Sequence, residues 1–283
     1  MKSLMTSPKT RPRIAVHKFS SCDGCQLAFL NLGEALLQLN EQVEILHFLE
    51  AGMSDVAAPV DIAFVEGSLS TPDEQERIRQ VRANSRYLVS IGACATSGGL
   101  QALRNLDSSH DDWRDAIYAR PEFIHTLKDV RPIAAEVRVD LELWGCPVSS
   151  AQVLAAVRAL LFGVAPVDDR DRVCLECKRQ QAVCVMVTQG VPCMGPVTRT
   201  GCGALCPRFG RDCYGCYGPS ETAQTETLAR RFAGLGLLTD AIARRFLLIN
   251  SQAPAFLQTG RVFYRTSAED QPVQHQPAGD QDD

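Results

Sequence analysis

RIAVHKFSSCDGC, residues 13–25, decides how the chain is read: a short apolar run, RIAVHKF, is followed at once by a polar loop that carries Cys22 and Cys25. A run of that length and character suits a buried strand. The next stretch, QLAFLNLGEALLQLN (26–40), places Phe29, Leu32, Leu36 and Leu39 at helical spacing, so a helix is expected behind the loop. The unit then recurs. Val43 to Phe48 (VEILHF) and Asp61 to Glu66 (DIAFVE) are strand-like, Tyr87 to Ile91 (YLVSI) runs into Gly92-Ala93-Cys94, and Val139 to Trp144 leads into Gly145-Cys146-Pro147. Between them, Thr71-Pro72-Asp73-Glu74 is a capping box with proline at the first helical position, which predicts a helix to about Ala83. Ser149 or Ser150 caps another helix, with Val153, Val157 and Leu161 on one face. Strands alternating with amphipathic helices imply a parallel α/β layer, because a crossover helix must join parallel neighbours. The order suggests a flavodoxin-like, doubly wound sheet.

In such a sheet the carboxyl ends of the strands lie on one edge. Cys22 and Cys25, Cys94, and Cys146 each follow a strand directly, so four thiols distant in sequence are expected to converge. Reading Cys94 and Cys146 as ordinary buried core cysteines would leave three coincident strand-end placements unexplained. Gly24, Gly92, Gly98, Gly99 and Gly145 supply room for a loop wrapped on a bulky ligand, or simple turn punctuation. Glu66 also ends a strand and should lie near this edge, as a group behind the ligands, an interface group or a solvated turn carboxylate.

The other eight of the twelve cysteines lie in CLECKRQQAVCVMVTQGVPCMGPVTRTGCGALCPRFGRDCYGCYGP (174–219). Little regular structure is expected between thiols so dense, and such a segment orders itself around metal. A zinc ribbon built from Cys174, Cys177, Cys213 and Cys216 would leave Cys184, Cys193, Cys202 and Cys206 unemployed. Two iron–sulfur clusters employ all eight, and with the N-terminal four the count suits three clusters. Sequence-local grouping gives Cys174, Cys177, Cys184 and Cys193 to one and Cys202, Cys206, Cys213 and Cys216 to the other, with exchange of a ligand between neighbours left open. No histidine occurs between His125 and His275, so cysteine alone would serve, and His17 reads as a core residue of its strand. Lys178, Arg179, Arg208 and Arg211 among these thiols are solvated loop charges, charges that raise a cluster's potential, or a face toward an acidic partner.

Composition narrows the classes. A 283-residue chain that is 45% hydrophobic can bury a core without disulfides, and a net charge of −4 speaks against nucleic acid. MKSLMTSPKTRPRIAVHKF at the start has no apolar signal core and no paired arginines, and no later stretch suits a bilayer span, so a cytoplasmic protein with no membrane partner is expected. In that compartment thiols stay reduced, which favours metal binding over disulfides. No GxGxxG follows a strand and no P-loop is present, so a nicotinamide or flavin would sit on another subunit.

The chain resembles the small subunit of [NiFe] hydrogenases across roughly residues 13–220, through SCDGCQLAFLNLGEALL, VEGSLSTPDE, IGACATSGG, LWGCP, PCMGPVTRTGC and CYGCYGP. The resemblance implies that Cys22, Cys25, Cys94 and Cys146 hold a proximal [4Fe–4S] cluster facing the nickel–iron centre of a separate large subunit. It likewise gives Cys174, Cys177, Cys184 and Cys193 to a distal cluster and Cys202, Cys206, Cys213 and Cys216 to a medial one. The chain would be a three-station electron relay with no catalytic residue of its own. Cys174 stands where membrane-bound and periplasmic relatives have histidine, and their twin-arginine signal is missing here. The chain is therefore similar to the cytosolic, bidirectional kind, such as the delta subunit of NADP-linked sulfhydrogenases, with flavin/NAD(P)-binding and further iron–sulfur subunits as partners. The alternative within the family is the small subunit of the methyl-viologen-reducing, heterodisulfide-reductase-linked hydrogenase. The related complex I subunit uses a tandem cysteine pair, which Cys22 and Cys25 are not. Outside the family stand a zinc-stabilised interaction protein and a stand-alone ferredoxin-like carrier. The expected organisation is a flavodoxin-like domain over 13–165, a loop-dominated iron–sulfur domain with C-terminal helices over 170–266, and a disordered polar tail over 267–283.

Overall fold

The computed structural model describes residues 11–56, 58–106, 110–167 and 170–269. The first part runs β1 (Arg13–Lys18), α1 (Gly24–Leu30), α2 (Glu34–Gln42), β2 (Glu44–Phe48), β3 (Met53–Ser54), β4 (Val60–Glu66), α3 (Pro72–Ala83), β5 (Ser85–Ile91), α4 (Gly92–Ser97), α5 (His110–Ile117), β6 (Leu141–Leu143) and α6 (Ser150–Leu161). The strands form one sheet in the order β3-β2-β1-β4-β5-β6. Every pairing is parallel except β2 with the short edge strand β3. Without that edge strand, the order is the flavodoxin one expected from the sequence. The single helix expected over 26–40 is two, because Gly33 adopts a positive φ of 57° between α1 and α2.

Both faces are covered, as a parallel sheet requires. On one, Phe29 of α1 meets Phe64 of β4 and Phe48 of β2 edge-on, at ring separations of 5.0 and 5.9 Å, with Val153 and Val157 of α6 alongside. Burying one such ring stabilises by about 2–3 kcal/mol. On the other, Ile78 and Val81 of α3 pack against Ala63, Val65 and Leu88. Helix α3 starts where the capping box puts it: Thr71 Oγ1 accepts from the Glu74 amide at 3.2 Å, and the Glu74 carboxylate accepts from the Thr71 amide at 3.1 Å. The same carboxylate accepts from the Ser20 hydroxyl at 3.0 Å, tying α3 to the loop before Cys22.

The second part holds α7 (Val173–Arg179), α8 (Val185–Thr188), α9 (Leu205–Arg208), α10 (Thr225–Gly234), α11 (Thr239–Leu247) and α12 (Pro254–Glu269). The cysteine segment is thus less irregular than expected, since Cys174 and Cys177 ride one turn of α7. A separate core gathers Met194, Val197, Phe232, Phe246 and Phe256 around Trp144, which arrives from the end of β6. The Arg199 guanidinium lies 5.0 Å above the indole. Gly218 also packs against the ring, and a Cβ there would come within 2.2 Å of it, so only glycine fits. Helix α12 continues to Glu269, beyond Ser267 where the polar tail is expected to begin; the rest of that tail lies outside the described residues. Among the described residues no helix is long and apolar enough to cross a membrane.

Candidate functional site

Three strand ends deliver the first four thiols to one edge of the sheet. Cys22 and Cys146 are exposed, Cys94 is half-buried and Cys25 is buried. Burial pushes the Cys94 thiol up to about 11, and the nearby thiols of Cys146 and Cys22 add to the rise. Cys25 is raised by burial too, with Glu66, Cys94 and Cys146 contributing, and Cys146 by burial, Cys22 and Glu66. The four therefore share one electrostatic neighbourhood. Glycine clears the space around them: a Cβ on Gly92 would stand 2.3 Å from Cys25 Sγ, and one on Gly99 2.6 Å from Cys94 Sγ. Both have positive φ, so no other residue serves at either position.

The thiol loop is held from below by Glu66, which is 2% exposed and so is no solvated turn carboxylate. Its oxygens accept from the amides of Cys25 and Gln26 at 3.0 and 3.1 Å. These are donors that the first turn of α1 cannot satisfy internally. Burial raises the Glu66 pKa against the lowering effect of those two bonds. The Ala93 amide donates to the Gly145 carbonyl at 2.7 Å, joining the Cys94 and Cys146 loops. Gln101 donates to the Ser20 carbonyl at 2.6 Å and accepts from the Cys94 thiol at 3.5 Å.

The remaining thiols form two groups along the sequence. In the first, burial raises the Cys174 thiol, with the nearby Cys193 and Cys184 adding to the rise, and pushes Cys177 up to about 11, with Cys174, Cys193, Cys184 and Cys202 adding to it. A Cβ on Gly195 would touch both Cys193 Sγ at 3.4 Å and Cys174 Sγ at 3.6 Å. In the other group burial pushes Cys216 up to about 12, and Cys202, Cys146 and Cys206 add to it. A cavity of about 350 Å³ is lined by Cys146, Cys202, Cys206, Cys213, Cys216 and Tyr217 among others. Among the described residues no three or more His, Cys, Asp or Glu side chains gather in a way that would hold a single metal ion.

The groups also influence one another: Cys216 is raised in part by Cys146, Cys213 by Cys193, and Cys177 by Cys202. The Cys213 amide donates to Cys193 Sγ at 3.3 Å. Thiols of neighbouring groups thus lie close together around the cavity.

Two supporting residues carry no sequence signal that separates them from ordinary polar positions. Glu176, between Cys174 and Cys177 on α7, accepts from the amides of Gly201 and Ala204 at 2.8 and 3.1 Å, beside Cys202. Arg245 of α11 pairs with Asp212, next to Cys213. His17 lies in the core, its ring stacked on His47 at 4.6 Å, while Lys178, Arg179, Arg208 and Arg211 are exposed. An all-thiol donor set suits iron–sulfur clusters and their one-electron chemistry. Thiols raised by burial give up their protons when metal binds.

Comparison with known proteins agrees with this geometry. The family described as NADH ubiquinone oxidoreductase, 20 Kd subunit, matches residues 22–160. Sulfhydrogenase 2 subunit delta of Pyrococcus furiosus is 36% identical over 208 residues, covering 74% of this chain and 86% of that protein. An F420-non-reducing hydrogenase (vhu) subunit of Methanocaldococcus jannaschii is 28% identical over 237 residues, covering 74% and 82%. Among solved structures, a chain of an NAD+-reducing [NiFe]-hydrogenase in the H2-reduced state superposes with a TM-score of 0.52 at 30% identity, covering 56% of this chain and 95% of that one. Fold and thiol arrangement together define an iron–sulfur subunit of an oxidoreductase. The chain belongs to the [NiFe]-hydrogenase small-subunit family, related to the 20 kDa subunit of NADH ubiquinone oxidoreductase.

Proposed function

We propose that this hydrogenase subunit relays electrons through three [4Fe–4S] clusters, between the nickel–iron site of a large subunit and a flavin/NADP(H)-binding partner in the cytoplasm. Cys22, Cys25, Cys94 and Cys146 would hold the proximal cluster, Cys202, Cys206, Cys213 and Cys216 the medial, and Cys174, Cys177, Cys184 and Cys193 the distal. The observation that carries this reading is the proximity of the thiol groups: Cys146 and Cys216 line one cavity, and the Cys213 amide donates to Cys193 Sγ at 3.3 Å. Clusters of this kind supply one-electron transfer when bound. The chain's residues supply the rest. Gly92 and Gly99 clear the approach to sulfur, Glu66 fixes the Cys25 loop, and amides such as that of Gly215, 3.4 Å from Cys213 Sγ, point at the ligand atoms. Hydrogen bonds to sulfur and burial set a cluster's potential.

Cys22 and Cys146 are exposed at the strand-end edge, which suits a large subunit covering the proximal group, and exposed Cys184 suits a further iron–sulfur or flavin subunit at the other end. The greater identity to the sulfhydrogenase delta subunit than to the F420-non-reducing hydrogenase subunit favours the NADP-linked reading over the heterodisulfide-reductase-linked one. Protein purified anaerobically should be brown, contain about twelve irons per chain, bleach with dithionite and give cluster EPR signals. Colourless protein holding only zinc would defeat the proposal.

A further inference from the structure

Asn250 lies just after α11, 1% exposed, between the two parts of the chain. The hydroxyl of Ser97, the last residue of α4, donates to Asn250 Oδ1 at 2.8 Å. Asn250 Nδ2 donates in turn to the Gly215 carbonyl at 2.8 Å. One carboxamide therefore spans from the helix that carries Cys94 to the turn between Cys213 and Cys216. A backbone bond runs parallel to it, from the Gln252 amide to the Ser97 carbonyl at 3.3 Å.

The arrangement is directional. The Gly215 carbonyl only accepts, so it fixes which end of the carboxamide faces it, while the Ser97 hydroxyl, also 3.0 Å from the Ala93 carbonyl, can donate or accept. Gly215, whose carbonyl Asn250 holds, is also the residue whose amide donates to Cys213 Sγ at 3.4 Å, with a positive φ of 77° that glycine tolerates. Rotating the Gly215 carbonyl away from Asn250 would disturb the conformation that aims this amide at sulfur. An apolar residue would fill the same space without the desolvation cost of a carboxamide. What the polar chain adds is a fixed orientation.

We propose that Asn250 is a positioning residue: it sets the first thiol group against the cavity-lining group and aims the Gly215 amide at Cys213. The proposal rests on the reading above, in which these groups hold the proximal and medial clusters. It assigns Asn250 control of the medial cluster's potential and of the coupling between that cluster and the proximal one.

The test uses the intact complex, wild type beside Asn250→Ala and the milder Ser97→Ala, with iron analysis, potentiometric EPR and the rate of reduction of an external acceptor by H2. Wild-type complex lacking three cluster signals would overturn the underlying reading before any variant is considered. With three signals present, Asn250→Ala is expected to keep its iron, shift the midpoint of one signal and weaken that cluster's magnetic coupling to one neighbour. The third signal should stay in place while the rate falls about tenfold, as for other outer partners of metal ligands. Ser97→Ala should move the same signal less, and it decides the matter if Asn250→Ala fails to assemble. Wild-type potentials and coupling in the variants that assemble, or all three signals moving together, would overturn the proposal.

Discussion

Glu66 and Cys25 meet across the end of the sheet: the Cys25 amide donates to the Glu66 carboxylate at 3.0 Å, joining the last residue of β4 to the first turn of α1. The second oxygen takes the Gln26 amide. One side chain thereby substitutes for the missing turn of helix and holds a thiol in register with the strand ends.

Removing that carboxylate leaves two buried amides unpaired, each costing about 1–3 kcal/mol. Glu66→Ala is expected to lower Tm and to cost the EPR signal assigned to the proximal cluster, leaving the others. Glu66→Gln keeps one acceptor and should fall between the two. Equal thermal stability in Glu66→Ala and wild type would count against this role.

Gly92→Ala forces a methyl to 2.3 Å from Cys25 Sγ at a φ of 85°. The expected result is chain that retains the second unit's clusters but holds about two thirds of the wild-type iron. Full iron content would show that the loop can yield.

Glu176 makes a parallel case in the second part of the chain. Glu176→Ala should release the Gly201 and Ala204 amides and disturb both C-terminal groups together, read as loss or broadening of two EPR signals with the third intact. Glu176→Gln retains an acceptor and should restore most of the signal. Loss confined to one group would argue against the shared support.

His17 gives a pH dependence. Burial lowers its pKa from 6.5 to about 3, with His47 and Arg77 adding to the effect. The folded chain keeps the imidazole neutral while the unfolded chain protonates it. Its contribution to stability is complete above pH 6.5 and is lost progressively as pH falls toward 3. His17→Phe should flatten the decline in Tm between pH 7 and pH 5. An unchanged slope would place the acid sensitivity elsewhere.

Much of this was legible because it depends on local pattern. The strand-end placement of Cys22, Cys25, Cys94 and Cys146 follows from parallel topology, and the Thr71–Glu74 box marks α3 at its first residue. The break at Gly33 was harder to read, since Phe29, Leu32, Leu36 and Leu39 keep helical spacing across it. Burial of Glu66 could not be told from exposure, because a carboxylate at a strand end reads the same way whether it faces water or two backbone amides. Asn250 was invisible for a different reason. Its partners, Ser97 and Gly215, are far away in sequence and meet it only after both parts have folded.

Trp144 sets a limit on how the chain can be shortened. Its ring is covered by the Arg199 guanidinium and approached closely by Gly218, both supplied from beyond α6. A version ending at that helix would leave a bare indole at the tip of β6, sticky toward any apolar surface. Trimming there requires a polar substitute at that position or another protein to take the ring.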